Sequence, residues 1–189
     1  MIPAPDSPPP GGLALHLLGW SAAPTRRIYA KLTAELANMN DKAFEILGSN
    51  RLMAISTVRP DDWPQTTVVG YANDEFTIYF LIFRASQKFA NIAQNDRVSL
   101  AVFREPADMH LAEAFYAGAV ASEVTDPVER EHGWRLLAQR HRNLAPSIQP
   151  DWALAALMRA ECRHVSVLDY NKGLGHSDAL HMTGSEEER

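Results

Sequence analysis

Two strand-like segments joined by a tight-turn pair constrain the fold of this chain more than any other feature. Residues 66–72 and 76–82 both have strand character, and Asn73-Asp74 between them is typical of a hairpin turn. A two-residue hairpin makes its strands antiparallel. A parallel α/β sheet is therefore excluded for this part of the chain.

Further strands extend the antiparallel pattern on both sides of the hairpin. Residues 52–58 alternate before a turn rich in Asp and Pro, and three later segments have strand character: residues 97–103, 111–124 and 162–170. Gly118 in the middle of the fifth strand suggests a bulge or a close backbone approach. Helices are inserted between some strands rather than after each of them. The pattern predicts an α+β fold or a closed, mainly β barrel.

The N-terminal region divides into an arm and two expected helices. Residues 1–24 contain six prolines and the pair Gly11-Gly12, which favours an extended arm. Apolar residues then recur at helical spacing, with a break near residues 38–40, so two consecutive helices are expected, the second stopped by Gly48. The folded domain is predicted to cover residues 25–176, and residues 177–189 are expected to form a C-terminal tail.

Three further helical segments are expected between the strands. The first covers residues 86–94, and a short helical piece is expected at residues 151–158. The other begins at Asp126-Pro127, because Asp caps open amides, Pro suits the first helical position and Glu129 can reach back to the cap. That helix should continue to about Arg142.

Composition limits the class of protein. The chain has 189 residues, of which 46% are apolar and 22% charged, as in an ordinary one-domain globular protein. A net charge of -5 without a basic run argues against general nucleic-acid binding. No apolar run is long enough to span a membrane, and the single cysteine, Cys162, permits neither an internal disulfide nor a cysteine metal cluster. We expect a cytoplasmic protein with an inert, buried thiol.

Residue types that bind phosphate lie between the third strand and the next helix. The strand ends near Ile82, a short loop begins at Phe83, and Ser86 lies at the expected N-cap. Open amides and the helix dipole favour an anion there. Lys88 in the first turn and Arg84 in the loop add two cations. Alternatively, Ser86 only caps the helix and both cations are solvated.

This region resembles a known family. Ser86-Gln87-Lys88, followed by Asn91-Ile92 and Asn95-Asp96-Arg97-Val98-Ser99-Leu100, is similar to the FMN-binding split-barrel superfamily, which includes pyridoxamine 5'-phosphate oxidase and many flavin reductases. The resemblance covers roughly residues 45–170. It implies a six-stranded antiparallel split β-barrel with N-terminal and peripheral helices. It also implies a homodimer with flavin at the subunit interface, and an FMN phosphate held by Ser86, Lys88 and Arg84.

The second strand, Pro64-Gln65-Thr66-Thr67-Val68-Val69, is similar to the family strand that lies along the isoalloxazine ring. The resemblance implies pairing of main-chain groups with the ring's polar edge and added contacts from the two threonine hydroxyls. Alternatively, the threonines only suit a strand. The chain departs from pyridoxamine 5'-phosphate oxidase itself at Gln65, where a basic pattern is missing, and at Ile82, which replaces a Thr. It also lacks a C-terminal Arg-x-His motif, so vitamin B6 oxidase activity is not expected.

The segment after the last strand is a second candidate for ligand contact. Glycines on both sides of Leu174 allow positive φ or close approach to a ligand, and Lys172 and His176 flank them. We hypothesise a lid over the flavin; an ordinary glycine turn is the alternative. The full set of expected cofactor contacts is Gln65, Thr66, Thr67, Val68, Ile82, Phe83, Arg84, Ser86, Gln87, Lys88, Lys172, Gly173 and His176.

No metal site is expected, because the histidines do not have ligand spacing. The favoured function is an FMN-dependent oxidoreductase that takes hydride from NAD(P)H and passes reducing equivalents to a small organic acceptor. One rival is a split barrel that binds deazaflavin or haem, with His164 or His176 as axial ligand. The other is a non-enzymatic flavin-binding sensor. Ala117, Ala119 and Ala121 would suit either a dimer interface or the core.

Overall fold

The computed structural model describes residues 23–103, 106–144 and 148–181. The chain divides into two units at the boundary between residues 34 and 35, and all strands lie in the second unit. The helices are α1 (Ala23–Ser49), α2 (Gln87–Gln94) and α3 (Pro127–Arg140). The strands are β1 (Leu52–Val58), β2 (Pro64–Asp74), β3 (Thr77–Phe83), β4 (Arg97–Phe103), β5 (Glu113–Glu123), β6 (Ala155–Asp169) and β7 (Ser177–His181).

Six of these strands close into an antiparallel barrel. The neighbours run in the order β3-β2-β1-β4-β5-β6-β7, and β3 also pairs with β6. That last pairing joins Thr77–Phe83 to residues 155–161 and closes the barrel, while β7 pairs with the later part of β6, residues 164–168. The α+β, mainly β barrel expected from the sequence is confirmed.

The barrel interior is filled by alternate residues of its strands, as the two-residue period requires. Large side chains such as Ile55, Phe80 and Phe115 are fully enclosed there. Ala117, Ala119 and Ala121 lie in this core, so the apolar face of β5 packs within the chain and not at an interface. Cys162 is buried in the same core, and burial raises the pKa of its thiol to about 12, as expected of an inert cysteine.

A second apolar cluster lies outside the barrel, between β3, β6 and α3. Trp134 and Leu137 of the helix pack there on Tyr79 and Leu157. The start of α3 is as predicted, because the Asp126 carboxylate accepts bonds from the amides of Val128 and Glu129. Glu129 does not reach back to the cap as expected.

The Glu129 carboxylate is held by other partners. It forms an ion pair with Arg159 at 3.0 Å and accepts a hydrogen bond from the Tyr79 hydroxyl at 3.3 Å. These bonds join the first turn of α3 to β6 and β3. The charged partner competes successfully with the capping amide for the same carboxylate.

The two expected N-terminal helices are wrong, because α1 is continuous through residues 38–40. Met39, Ala43, Ile46 and Leu47 form one buried stripe across the expected break. The helical penalty of an asparagine is only about 0.7 kcal/mol. Burial of a side chain such as Met39 contributes about 1.5–3 kcal/mol and outweighs it.

The expected helical piece at residues 151–158 is also wrong. Only a turn is present at residues 152–154, and residues 155–158 already belong to β6, where they pair with residues 80–83 of β3. Closing the barrel requires this pairing, which overrides the local helical preference of Ala and Leu. The structure also adds β7 at residues 177–181, in the expected C-terminal tail; residues 182–189 lie outside the described residues, as does the expected arm through residue 22.

The bulge expected at Gly118 is confirmed. The register between β5 and β6 shifts between Gly118 and Ala119, and a Cβ at Gly118 would lie 3.4 Å from the His164 ring. The extra residue is Arg163 on β6, since Gly118 faces His164 and Ala119 faces Cys162, and the glycine leaves room for the His164 ring beside it.

Gly133 sets the distance between α3 and the barrel. A Cβ there would lie 2.7 Å from the Tyr79 ring and 3.0 Å from a Leu157 methyl group. We expect Gly133→Ala to lower the free energy of unfolding by about 1–3 kcal/mol through overpacking, although Ala is the better helix former by about 1 kcal/mol. Urea unfolding would measure this. Gly48→Ala is the control, since nothing lies within 4 Å of a Cβ at Gly48, and should be neutral or stabilising; equal effects in both variants would contradict the packing argument.

Candidate functional site

The start of α2 has the geometry of a capped helix. The Ser86 hydroxyl accepts a bond from the amide of Phe89 at 3.3 Å and donates to the Phe83 carbonyl at 2.6 Å. The loop before α2 is fixed to the residue that precedes β6, because the amide of Arg84 donates to the Leu154 carbonyl at 3.0 Å. Ser86 therefore caps the helix, and its position at the open amides is also the one that phosphate binding requires.

Lys88 is a half-buried cation in the first turn of α2. Its ammonium has no hydrogen-bond or ion-pair partner among the described residues. Burial lowers the pKa of Lys88 below its ordinary value of 10.5, and no neighbouring charge counteracts that effect. A partly desolvated ammonium beside a helix N-terminus, with no anion to pair with, is an arrangement that a bound phosphate would satisfy.

Arg84 is committed to partners within the chain. Its guanidinium forms a two-point ion pair with Glu123, its Nε donates to the Trp152 carbonyl at 2.9 Å, and it lies over the Phe89 ring at 5.5 Å. The Glu123 carboxylate raises the pKa of Arg84 further above its usual range. Arg84 thus fixes the loop against β5, and the expected role for it at the phosphate stays a prediction.

A buried asparagine connects the two halves of the expected site. Asn91 of α2 is fully buried; its amide nitrogen donates to the Thr57 hydroxyl at 2.9 Å and to the Gln65 side-chain oxygen at 3.0 Å. Gln87 donates to the Asn91 side-chain oxygen at 2.9 Å. Gln65 of the expected ring strand and Gln87 of the phosphate segment therefore share one network. The sequence motif includes Asn91 without indicating its role; the signal for that role is an asparagine on the buried face of a short helix.

Strand β2 has an open edge beside this network. Its first part, residues 64–70, pairs with β1 on one side, but its pairing with β3 is restricted to residues 71–74. Beyond Phe80, β3 pairs with β6 instead, leading into the exposed ring of Phe83. Among the described strands, none pairs with the main-chain groups of residues 64–70 on that side. They are available to a ligand, as the resemblance implied for a flavin ring.

The side chains of the ring strand point alternately to its two faces. Thr66 and Val68 lie outside the barrel, where the Thr66 hydroxyl contacts Ser56 at 2.7 Å and Val68 is 66% exposed. Gln65 and Thr67 alternate with them, and the Thr67 hydroxyl is buried without a hydrogen-bond partner. On the outer face, only Thr66 and Val68 can contact a ring through their side chains. Ile82 is buried in the core and could take part through its main chain alone.

The C-terminal candidates are not brought to this site within one chain. Lys172, Gly173 and His176 follow the end of β6, whereas the loop before α2 contacts its beginning, 15 residues earlier. Lys172 and His176 both bind the Asp178 carboxylate, at 2.6 and 3.0 Å. Gly173 has φ of 136°, as a glycine turn requires. The lid hypothesis stays a prediction, and in this geometry it would need a second subunit.

Lys88 gives the site a measurable pH signature. Because its pKa is lowered in the folded protein, the unfolded chain binds more protons between the folded pKa and 10.5, and stability should rise with pH through that range. We expect Lys88→Met to raise the melting temperature of the flavin-free protein at neutral pH, and the gain to vanish near pH 10.5. Thermal unfolding followed by circular dichroism checks this. A constant difference at every pH would show that the effect comes from packing and not from the charge.

The closed six-stranded barrel with an open β2 edge and a capped helix after β3 defines a split-barrel protein of the pyridoxamine 5'-phosphate oxidase-like superfamily. The model of the family described as pyridoxamine 5'-phosphate oxidase matches residues 39–169. The chain belongs to this family. No curated protein matches the chain.

Solved structures share the fold at low sequence identity. A heme binding protein from Mycobacterium smegmatis is 15% identical with a TM-score of 0.65; the alignment covers 75% of this chain and 57% of that one. A fad-binding protein from Mesorhizobium loti is 19% identical, with a TM-score of 0.52 and coverage of 66% and 87%. General Stress Protein 26 from Bacillus anthracis is 19% identical, with a TM-score of 0.57 and coverage of 76% and 98%. This chain thus spans little more than half of the first protein's length.

Within the described residues, no helix combines the length and apolar character needed to cross a bilayer. The same residues contain no group of three or more His, Cys, Asp or Glu side chains arranged around a possible metal ion.

Proposed function

We propose that this protein is an FMN-binding oxidoreductase that passes reducing equivalents from NAD(P)H to a small organic acceptor. The observation that carries the proposal is Lys88 beside the capped start of α2, half-buried and without a charged partner in the part of the chain that the structure describes. One cation beside the open amides of a helix N-terminus is suited to bind the terminal phosphate of FMN. The family membership supports the same assignment.

The residues around this corner fit the rest of the cofactor. The open edge of β2 supplies main-chain donors and acceptors for a polar ring edge, and the Asn91 network holds that strand at a fixed position relative to α2. Thr66 and Val68 offer a hydroxyl and an apolar contact on the outer face. The flavin, when bound, supplies the hydride and electron chemistry. The chain's own residues bind it, orient it and limit the access of water.

We propose that the functional unit is a homodimer with the flavin at the subunit interface. The register places Val68, Ala54, Ala101 and Tyr116 in one cross-strand row, on the face turned away from the barrel interior. Val68 is 66% exposed and Tyr116 42% exposed in the single chain. Small residues between two apolar ones permit close approach of a second copy. A second copy would also supply what one chain lacks, a route for Lys172 and His176 to a bound flavin.

An absorption spectrum of the purified protein, with identification of any released chromophore, tests the proposal. We expect flavin bands, release of FMN on heating, and reduction of the bound flavin by NADH or NADPH. Lys88→Met should weaken FMN binding about tenfold to a hundredfold, since a charge-assisted hydrogen bond contributes about 1.5–3 kcal/mol. Flavin fluorescence quenching measures the affinity.

Arg163→Gln is the matched control for loss of one positive charge. Arg163 pairs with Glu161 at 2.8 Å on β6, and its replacement should leave FMN affinity unchanged. A spectrum that stays featureless after FMN is added would overturn the proposal. If flavin binds but neither NADH nor NADPH reduces it, the alternative of a non-enzymatic flavin-binding sensor would be favoured.

The dimer is tested by size-exclusion chromatography with light scattering. We expect Val68→Glu to produce monomers, because a carboxylate would be buried in the interface without a partner. Val128→Glu is the control: Val128 is 79% exposed on α3, and its replacement should leave the dimer intact. If the wild-type protein is monomeric, or if Val68→Glu stays dimeric, this face is not the interface.

Haem binding is the second candidate. His164 lines an open groove of about 260 Å³ together with Tyr116 and Gly118, and the structural similarity to a heme binding protein points to the same fold accepting such a group. A Soret band in the spectrum that is lost in His164→Ala would favour haem. Flavin bands in its place would favour the first proposal.

A further inference from the structure

An open cleft lies at the end of the barrel where β1 begins. Its volume is about 610 Å³, and the residues that line it are Ser49, Asn50, Arg51, Leu52, Phe103, His141, Arg142 and Asn143. We call it the arginine cleft. It is separate from the α2 site: Asn91 contacts Thr57 near the far end of β1, and five residues of strand correspond to about 17 Å.

The arginine cleft is positively charged. Arg51 and Arg142 line it, and neither guanidinium has a hydrogen-bond or ion-pair partner among the described residues. None of the eight lining residues is acidic, although the whole chain carries a net charge of -5. Four other arginines each pair with a carboxylate within the chain: Arg59, Arg84, Arg159 and Arg163. The charge of the cleft is therefore uncompensated by the described part of the chain.

His141 is fixed in the wall of the cleft. Its Nε2 lies 3.1 Å from the Tyr71 carbonyl and must donate, since a carbonyl oxygen only accepts. A Cβ at Gly70 would lie 2.8 Å from the imidazole, so the absence of a side chain at Gly70 allows the ring to pack against the strand. Nδ1 has no partner among the described residues; it accepts a hydrogen bond in the neutral ring and donates one only in the imidazolium.

A third arginine stiffens the same region. The Arg140 guanidinium donates to the Leu47 carbonyl at 2.8 Å and lies 5.3 Å from the centre of the Tyr71 ring. These contacts join the end of α3 to the end of α1. Arg142, two residues further on, lines the cleft together with Arg51 at the start of β1, and both of these side chains are exposed.

Two exposed apolar side chains flank the cations. Leu52 is 59% exposed and Phe103 is 64% exposed, and both line the cleft. An inorganic ion would use the arginines alone. A ligand with an anionic head and an apolar body would also use Leu52 and Phe103.

We propose that the arginine cleft is a second anion-binding site, which takes a small organic carboxylate or phosphate. Arg51 and Arg142 bind the oxyanion, with a further hydrogen bond from Nδ1 of His141 when its ring is an imidazolium, and Leu52 and Phe103 contact the apolar part. The site acts independently of Lys88 and of any flavin.

Isothermal titration calorimetry tests the proposal by measuring the binding of phenyl phosphate and of benzoate to the full-length protein. Benzyl alcohol is the uncharged comparison. We expect at least one anion to bind and the alcohol not to bind. Binding of phenyl phosphate alone, of benzoate alone or of both identifies the head group as a phosphate, a carboxylate or either. Arg51→Gln and Arg142→Gln should each weaken binding about tenfold.

Arg163→Gln controls for net charge and should leave binding unchanged. Lys88→Met separates the two sites, since it should lose FMN affinity and keep the anion affinity. Failure of both anions to bind, binding that neither cleft variant affects, or binding that is lost in Lys88→Met would overturn the inference. A protein that binds no flavin but keeps arginine-dependent anion binding would overturn the proposed function and leave this inference standing.

Discussion

The pairing of β3 with β6 is the interaction on which the rest of the structure depends. Residues 77–80 of β3 pair with β2 on one side and β6 on the other, but residues 81–83 pair with β6 alone. β3 therefore closes the barrel by pairing with β6 and stops pairing with β2 after Phe80. The edge of β2 at residues 64–70 is consequently open, and the chain continues through Phe83 to the cap of α2. Barrel closure and the split that forms the candidate site are two results of one register.

The open edge of β2 and the start of α2 are held in position by one buried side chain. Asn91 joins α2 to β1 and β2 inside the protein, with Thr57, Gln65 and Gln87 as its partners. A buried amide that lost these bonds would carry an uncompensated desolvation cost of about 1–3 kcal/mol. The network thus fixes the distance between the open strand edge and the helix N-terminus. A ligand that must contact both benefits from a spacing set before it binds.

Features with a complete local signal could be predicted from the sequence. Asp126 and Ser86 cap their helices because a side-chain oxygen meets open amides within three residues, and Gly118 marks the register shift between β5 and β6 by lacking a side chain. The start of β6 could not be predicted, since residues 155–158 acquire strand character only from β3, more than 70 residues earlier. The pairing of Arg84 with Glu123 is likewise invisible locally, because 39 residues separate them.

The chain accepts an electrostatic cost at Lys88 that it avoids at nearby Arg84. Arg84, four residues earlier, has a carboxylate and a carbonyl as partners, whereas Lys88 is half-buried with a lowered pKa and no partner in the described part of the chain. A structural role would be served equally by an uncharged side chain of the same length, without the desolvation penalty. The anionic ligand proposed above would give the ammonium a function at this position, because it would bring its own negative charge to the start of α2 and form a charge-assisted hydrogen bond in a partly dry site.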